Sequence, residues 1–405
     1  MSVYDFIKKK DIVELTQKLV KIPSQFSEGQ IIEHKEIAKF LSEYLSALGM
    51  DTEVYEGGDP GFPAILARLK GNVGTPSICF TGHYNTVPAG DRAQWTNDPF
   101  GGKIIDGKIY GCGSNDMKGG IADVIIATKA IIDSGIKLRG DLIHLWLPGE
   151  GAQTHVLPHL IKEKKELIKA DWCIDNDTGG YNLGAVFGGW IWMDVITYGS
   201  RGHPSWAVRD KPKQYINAVS KMLKLLTAIE HIDDYMLYEP HRAPYGEVVP
   251  CANIGKIEGG ITVNTIPDKC TAKVDLRMVP NQTVEGALNE INMLIDKLKK
   301  EDPEEWDAEI KPFAIQHRRP GQQLPDDHFL VKEITRALEF VVPGQKPIIR
   351  HGSGGGRPDL FELMPYATFG CKRGGPVHAP NEYIEIESQI IDTKFMATLM
   401  VNILR

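Results

Sequence analysis

With 405 residues, 42% of them apolar and 24% charged, the chain has the proportions of a folded globular protein, which excludes disordered, fibrous and collagen-like classes. A net charge of −7 argues against a nucleic-acid partner, which would call for a basic surplus to neutralise phosphates. The length predicts two domains. Six cysteines without CxxC spacing predict reduced thiols and a cytoplasmic location, and no apolar run nears the ~18 residues of a membrane span.

Apolar residues recur at helical spacing in Ile12, Leu15 and Leu19, and again in Ile37, Phe40, Leu41, Tyr44 and Leu48, where Gly49 reads as the stop. Strand-like runs follow at 64–69 and 77–84. A third helix carries Ile121, Val124, Ile125, Thr128 and Ile132 on one face and closes at Gly135, and further strands are predicted at 142–147 and 172–174. Strands alternating with helices predict an α/β layered sheet. From about Ala185 the texture changes to strand 190–198, helix 212–229, strands 251–257 and 270–277, helix 284–300 and strand 308–315. That order predicts a split βαβ, ferredoxin-like insertion. Helices at 328–341 and 387–404 then complete the first domain, so the boundaries read as 1–186 with 319–405 for that domain and 187–318 for the insertion.

The chemistry-bearing residues stand beside these strands. His83 in GHYNTVP ends one apolar run, Glu150 in LPGEGAQTH follows another, and Asp177 in DWCIDNDTGG a third. Asp116 lies in the Gly-rich turn GCGSNDMKGG before an apolar helix, where capping that helix is an alternative role. His378 lies in the Gly- and Pro-rich loop GGPVHAPNEY. Polar groups placed just beyond neighbouring strands converge on one edge of a sheet. An imidazole nitrogen with two carboxylates suits zinc, and manganese or cobalt also fits the donor set.

The blocks GHYNTVP, WTNDPFGGKIIDGKIYGCGSNDMKGG, GSRGHPSWAV with Asn217-Ala218, GGITVNTIPDKC with VDLR, and HAPNEY resemble the zinc aminoacylase/carboxypeptidase metallohydrolase family. The resemblance is ordered and spans roughly residues 80–385. It implies an α/β fold: a zinc-exopeptidase-like α/β/α catalytic domain with an inserted ferredoxin-like α+β lid domain that also makes a homodimer. It implies hydrolysis of a C–N amide bond in a small carboxylate-bearing substrate such as an N-acyl amino acid or short peptide. In this sequence the family's metal ligands fall on His83 and Asp177, its bridging carboxylate on Asp116, and the second metal's histidine on His378. Glu150 takes the general-base position, and His203 matches a histidine that reaches the site from the partner subunit to stabilise the oxyanion. Asn264 and Arg277 match lid residues that meet the substrate's polar end. The run 351–357, with Gly355 and Arg357, falls where the family binds substrate. Arg350 and Arg357 suit an anionic group, with solvated surface arginines as the alternative.

Two positions depart from the family pattern. Gly151 replaces an acid that would hold a second metal, and Asn85 replaces an aspartate that orients the metal-binding histidine. A second ion would keep only Asp116 and His378, unless His155 swings in, and two protein ligands are too few for catalytic zinc. The loss of two negative charges matches the loss of one divalent ion. The expectation is therefore a single-metal site of His83, Asp116 and Asp177, with Asn85 still orienting the imidazole through its amide. The altered set also admits two other readings: an aminohydrolase that removes a non-peptide amine, and a non-catalytic ligand-binding member.

Overall fold

The computed structural model describes the chain except residues 1, 26–33, 59–60, 150–155, 207–214, 239–240, 244–245, 281, 303, 305, 314–317, 353–356 and 362. The expected positions Glu150, Gly151, His155 and Gly355 lie outside the described residues. Two compact units emerge. One comprises Met1–Ala185, Leu324–Arg350 and Gly354–Arg405; the other comprises Val186–Gln323 with His351–Ser353.

In the first unit, helix Lys9–Lys21 buries Ile12, Leu15 and Leu19, and helix Lys35–Ala47 buries Ile37, Leu41 and Leu45, each along one stripe at helical period. Helix Gly119–Ser134 is buried almost all round and ends where Gly135 takes the left-handed conformation (φ 74°) that a glycine adopts without strain. The sheet is built on four parallel strands in the order Gly140–Leu147, Gly74–His83, Trp172–Asp175 and Tyr366–Phe369. Antiparallel strands Ala64–Leu69 and then Asp51–Tyr55 extend it at one side, and Asn182–Phe187 extends it at the other. All eight residues of Gly140–Leu147 are buried, as a strand covered on both faces requires.

The register levels the ends of the parallel strands. His83 pairs with Leu147, and Thr81 with Asp175, so the residues just after each strand open onto the same edge. The C-terminal helix Ile386–Leu404 packs on Gly119–Ser134 and on the strand Gly74–His83. Among the described residues, no helix is long and apolar enough to cross a membrane.

The second unit has its own core, with Ile191, Met193, Val195, Leu225, Leu276 and Ile291 among its buried residues. Its elements run strand Gly189–Tyr198, helix Ala218–Glu230, strands Cys251–Gly259 and Lys269–Met278, helix Val284–Glu301 and strand Asp307–Pro312. They pair antiparallel in the order second, third, first, fourth, the arrangement of a split βαβ layer. The first helix starts later than the periodicity suggests. Asn217 caps it through its side-chain oxygen, which accepts from the N–H groups of Val219 and Ser220, while 212–214 lie outside the described residues. The last strand stops at Pro312, and 314–315 lie outside the described residues.

Candidate metal centre

His83 is fully buried at the end of its strand. Its Nδ1 lies 2.8 Å from the main-chain carbonyl of Asn85, which accepts the ring N–H and turns Nε2 toward the two carboxylates. The tautomer is thus set by a peptide oxygen, an acceptor that any residue at position 85 would supply. Nε2 faces Asp116 Oδ1 at 3.0 Å and Asp177 Oδ1 at 3.3 Å. Among the described residues, His83, Asp116 and Asp177 form a group whose ligand atoms all lie within 4.8 Å of one another.

This spacing fits a divalent cation. Metal–ligand bonds of about 2.0–2.1 Å at tetrahedral or right angles separate the ligand atoms by roughly 2.9–3.4 Å, the range in which both contacts of Nε2 fall. The electrostatics agree. Burial alone would lower the imidazole's pKa and raise that of the Asp116 carboxyl, but attraction between the ring and the two carboxylates reverses both shifts. The pocket therefore favours positive charge at the point where the three side chains meet.

Asp116 uses both oxygens. Oδ2 lies 3.0 Å from Nε2 of His378, whose side chain is half exposed. Asp116 does not cap the following helix. The turn that carries it, with Gly113 at φ 80°, is held instead by Glu382. That carboxylate, 3% exposed, accepts the main-chain N–H groups of Gly113, Asn115 and Asp116 at 2.8–2.9 Å. Burial pushes Glu382 up to about 7 against the lowering effect of those three bonds. Lys118, buried beside this turn, donates to the Ile22 carbonyl at 2.7 Å, and burial pushes its pKa down to about 8.

Asp177 is fixed from below by Asp175. One oxygen of the fully buried Asp175 accepts the Asp177 N–H at 3.0 Å and the other accepts the Tyr366 hydroxyl at 2.6 Å. Burial raises the Asp175 carboxyl to about 6, and the nearby Arg357 guanidinium acts in the opposite direction. Arg357, expected as a substrate contact, is itself buried in this network. Its main-chain N–H donates to the Tyr366 hydroxyl at 2.8 Å, and a Cβ added at Gly149 would stand 2.9 Å from its guanidinium carbon. Arg350 is exposed and donates to Asn182 Oδ1 at 2.5 Å.

The carboxylates open onto a cavity of about 710 Å³ whose lining includes Asn115, Asp116, Asp177, Lys372, Arg373 and His378. Lys372 is buried, its ammonium donating to the Thr178 carbonyl at 3.1 Å. Arg373 is exposed, with its guanidinium 5.1 Å from the centre of the Tyr181 ring. Neither cation stood out in the sequence, because no motif marks them; a basic pair five and six residues before His378 is visible only once the loop is folded.

The remaining expected residues belong to the second unit. His203 is exposed, with Nδ1 2.6 Å from the Ser205 hydroxyl. Asn264 is exposed and accepts from the Thr262 hydroxyl at 3.3 Å. Arg277 pairs with Asp275 through two nitrogens, at 2.8 and 3.1 Å.

Fold and donor set together define an α/β protein with a divalent-metal centre at the carboxyl ends of parallel strands and a ferredoxin-like insertion. Residues 79–402 match Peptidase family M20/M25/M40, and the chain belongs to this family of metallohydrolases. It is 26% identical over 382 residues to acetylornithine deacetylase of Salmonella typhimurium (strain LT2), a match covering 92% of each protein. Its structure resembles aminopeptidase PepT from Bacillus cereus with a TM-score of 0.73 at 19% identity, covering 98% of this chain and 99% of that one. YxeP from Bacillus subtilis, described as a dinuclear metal-binding peptidase, matches with a TM-score of 0.68 at 14% identity over 98% of both chains.

Proposed function

We propose that this metal-dependent hydrolase cleaves the C–N amide bond of a small carboxylate-bearing substrate such as an N-acyl amino acid or short peptide. The convergence of His83, Asp116 and Asp177 on one point of a cavity that also holds Arg373 carries the reading. These three residues would hold one divalent ion, with zinc the leading candidate by donor type. When bound, such an ion supplies a water of lowered pKa and polarises the carbonyl under attack. His378, on the far oxygen of Asp116, contributes a hydrogen bond or a weak ligand.

Glu150 takes the water's proton and returns it to the departing nitrogen. His203 donates to the developing oxyanion from the partner subunit of a homodimer. Arg373, exposed on the cavity lining, pairs with the substrate carboxylate, with Arg350 and Arg357 as further cations for an anionic group. Reduced thiols support a cytoplasmic setting: all six cysteines are free.

The test is metal analysis combined with a panel of N-acetyl amino acids, dipeptides and aminoaromatic acids, assayed before and after chelation. One ion per chain and chelator-sensitive release of free amino acid support the reading. Two tightly bound ions would overturn the single-metal site, and release of ammonia alone would move the chemistry to an aminohydrolase. Glu150→Gln is expected to lower kcat by about 10²–10⁴-fold while metal content stays at one ion; unchanged turnover would remove Glu150 as the base. Arg373→Met is expected to raise KM for an N-acetyl amino acid by roughly 10–100-fold with kcat little changed, the loss of one charge-assisted pair.

A further inference from the structure

Glu382 takes no part in the proposed proton transfers, yet it ties together the segments that carry Asp116 and His378. Its Oε1 accepts the N–H groups of Asn115 and Asp116, and its Oε2 that of Gly113. Its own carbonyl accepts the Gly111 N–H at 2.9 Å, so side chain and main chain both grip the turn. It leads into the short strand Tyr383–Glu385, which pairs with Lys108–Tyr110 and fixes the segment from the other side.

Three donors converging on two oxygens demand a carboxylate. An amide side chain offers one oxygen and one NH₂ group, so at least one of the three N–H groups would face another donor. The demand is strict because Asp116 spends both oxygens, at 3.0 Å from His83 on one side and 3.0 Å from His378 on the other. A small rotation of the turn would carry one of these oxygens out of reach.

We propose that Glu382 is a positioning residue for the metal centre: by holding the 113–116 turn through three main-chain bonds, it aims the Asp116 carboxylate and so sets the affinity for the divalent cation. This inference rests on the metal site proposed above. Groups that orient ligands in this indirect way typically change metal affinity by about 10–100-fold when altered.

The experiment titrates metal-free protein with Zn²⁺ in a calorimeter, at a temperature well below unfolding, for the wild type, Glu382→Gln and Glu382→Asp. Glu382→Gln is expected to bind Zn²⁺ about 10–100-fold more weakly, and the visible spectrum of its Co²⁺-loaded form is expected to shift. Glu382→Asp, which keeps two oxygens but is one methylene shorter, is expected to fall between. A purely structural role would lower the melting temperature of metal-free and loaded protein alike and leave the Zn²⁺ affinity and the Co²⁺ spectrum unchanged; that result overturns the proposal. Should Glu382→Gln fail to fold, Glu382→Asp carries the same comparison. If the wild type itself binds no Zn²⁺, the metal-centre reading falls, whereas equal binding by wild type and variants removes only the positioning role.

Discussion

Tyr366 shows how far from the cavity the ordering of a ligand can begin. Its hydroxyl donates to Asp175, and Asp175 in turn accepts the N–H of Asp177, so a phenol in the sheet interior restrains a carboxylate at the sheet edge. Tyr366→Phe removes the donor and leaves one Asp175 oxygen buried without that bond. The expected result is a loss of about 1–3 kcal/mol in urea denaturation and about tenfold weaker Zn²⁺ binding by chelator competition. Unchanged metal affinity would confine Tyr366 to packing. His83, Asp116 and Asp177 were legible in the sequence because each follows a recognisable apolar run or Gly-rich turn. Asp175 and Glu382 were not, because their partners are an interior phenol and main-chain amides lying 191 and 266–269 residues away, and such pairings leave no local pattern.

Helix Gly119–Ser134 reaches the site through its first turn, where glycine is needed for closeness. A Cβ at Gly120 would lie 2.9 Å from the Asn176 carbonyl oxygen and 3.0 Å from Lys372 Cε, so Asn176, just before Asp177, would have to move. Gly120→Ala is expected to cost about 1–3 kcal/mol, as overpacking does, with a fall in kcat/KM larger than the stability loss explains; urea titration and steady-state assay measure the two. At this scale the sequence was readable where one-sided or complete burial ran through an element long enough to show a pattern. The helices with apolar stripes and the continuous run of Gly140–Leu147 were visible for that reason. The edge strand Asp51–Tyr55 was not, since only Tyr55 of its five residues is buried, and Tyr366–Phe369 is four residues long without alternation.

Over the whole molecule, the second unit carries a polar anchor that ought to report pH. Lys221 and Asp302, each 3% exposed, pair at 2.8 Å, and Glu304 joins them. Burial would raise the Asp302 carboxyl, but hydrogen bonds from Lys221 and Lys224 overcome it and hold it below the usual carboxylate range. A depressed folded pKa gives stabilisation that is present above the unfolded value near 4 and fades as pH falls through the folded value. Asp302→Asn is therefore expected to destabilise this unit by about 3 kcal/mol at pH 7, and by progressively less below pH 4, in urea midpoints taken across pH. A gap that widens in acid would contradict this assignment.

The same unit ends its sheet on Cys251–Gly259, an edge strand with Ile257 48% exposed, followed by the exposed Ile261 and Val263. Such an edge invites pairing with a second copy, which supports the proposed homodimer. Ile257→Glu is expected to yield monomers in light scattering, and activity should fall with dimer content if His203 acts across the interface.

Cys251 on that strand is exposed, whereas the other five cysteines are buried. The native protein should therefore react with a maleimide dye at one thiol per chain, and at six after denaturation. A dye placed at Cys251 would sit on the proposed seam itself. Its rate of attachment, followed as the protein is diluted, would measure the dissociation constant of the dimer without any engineered label.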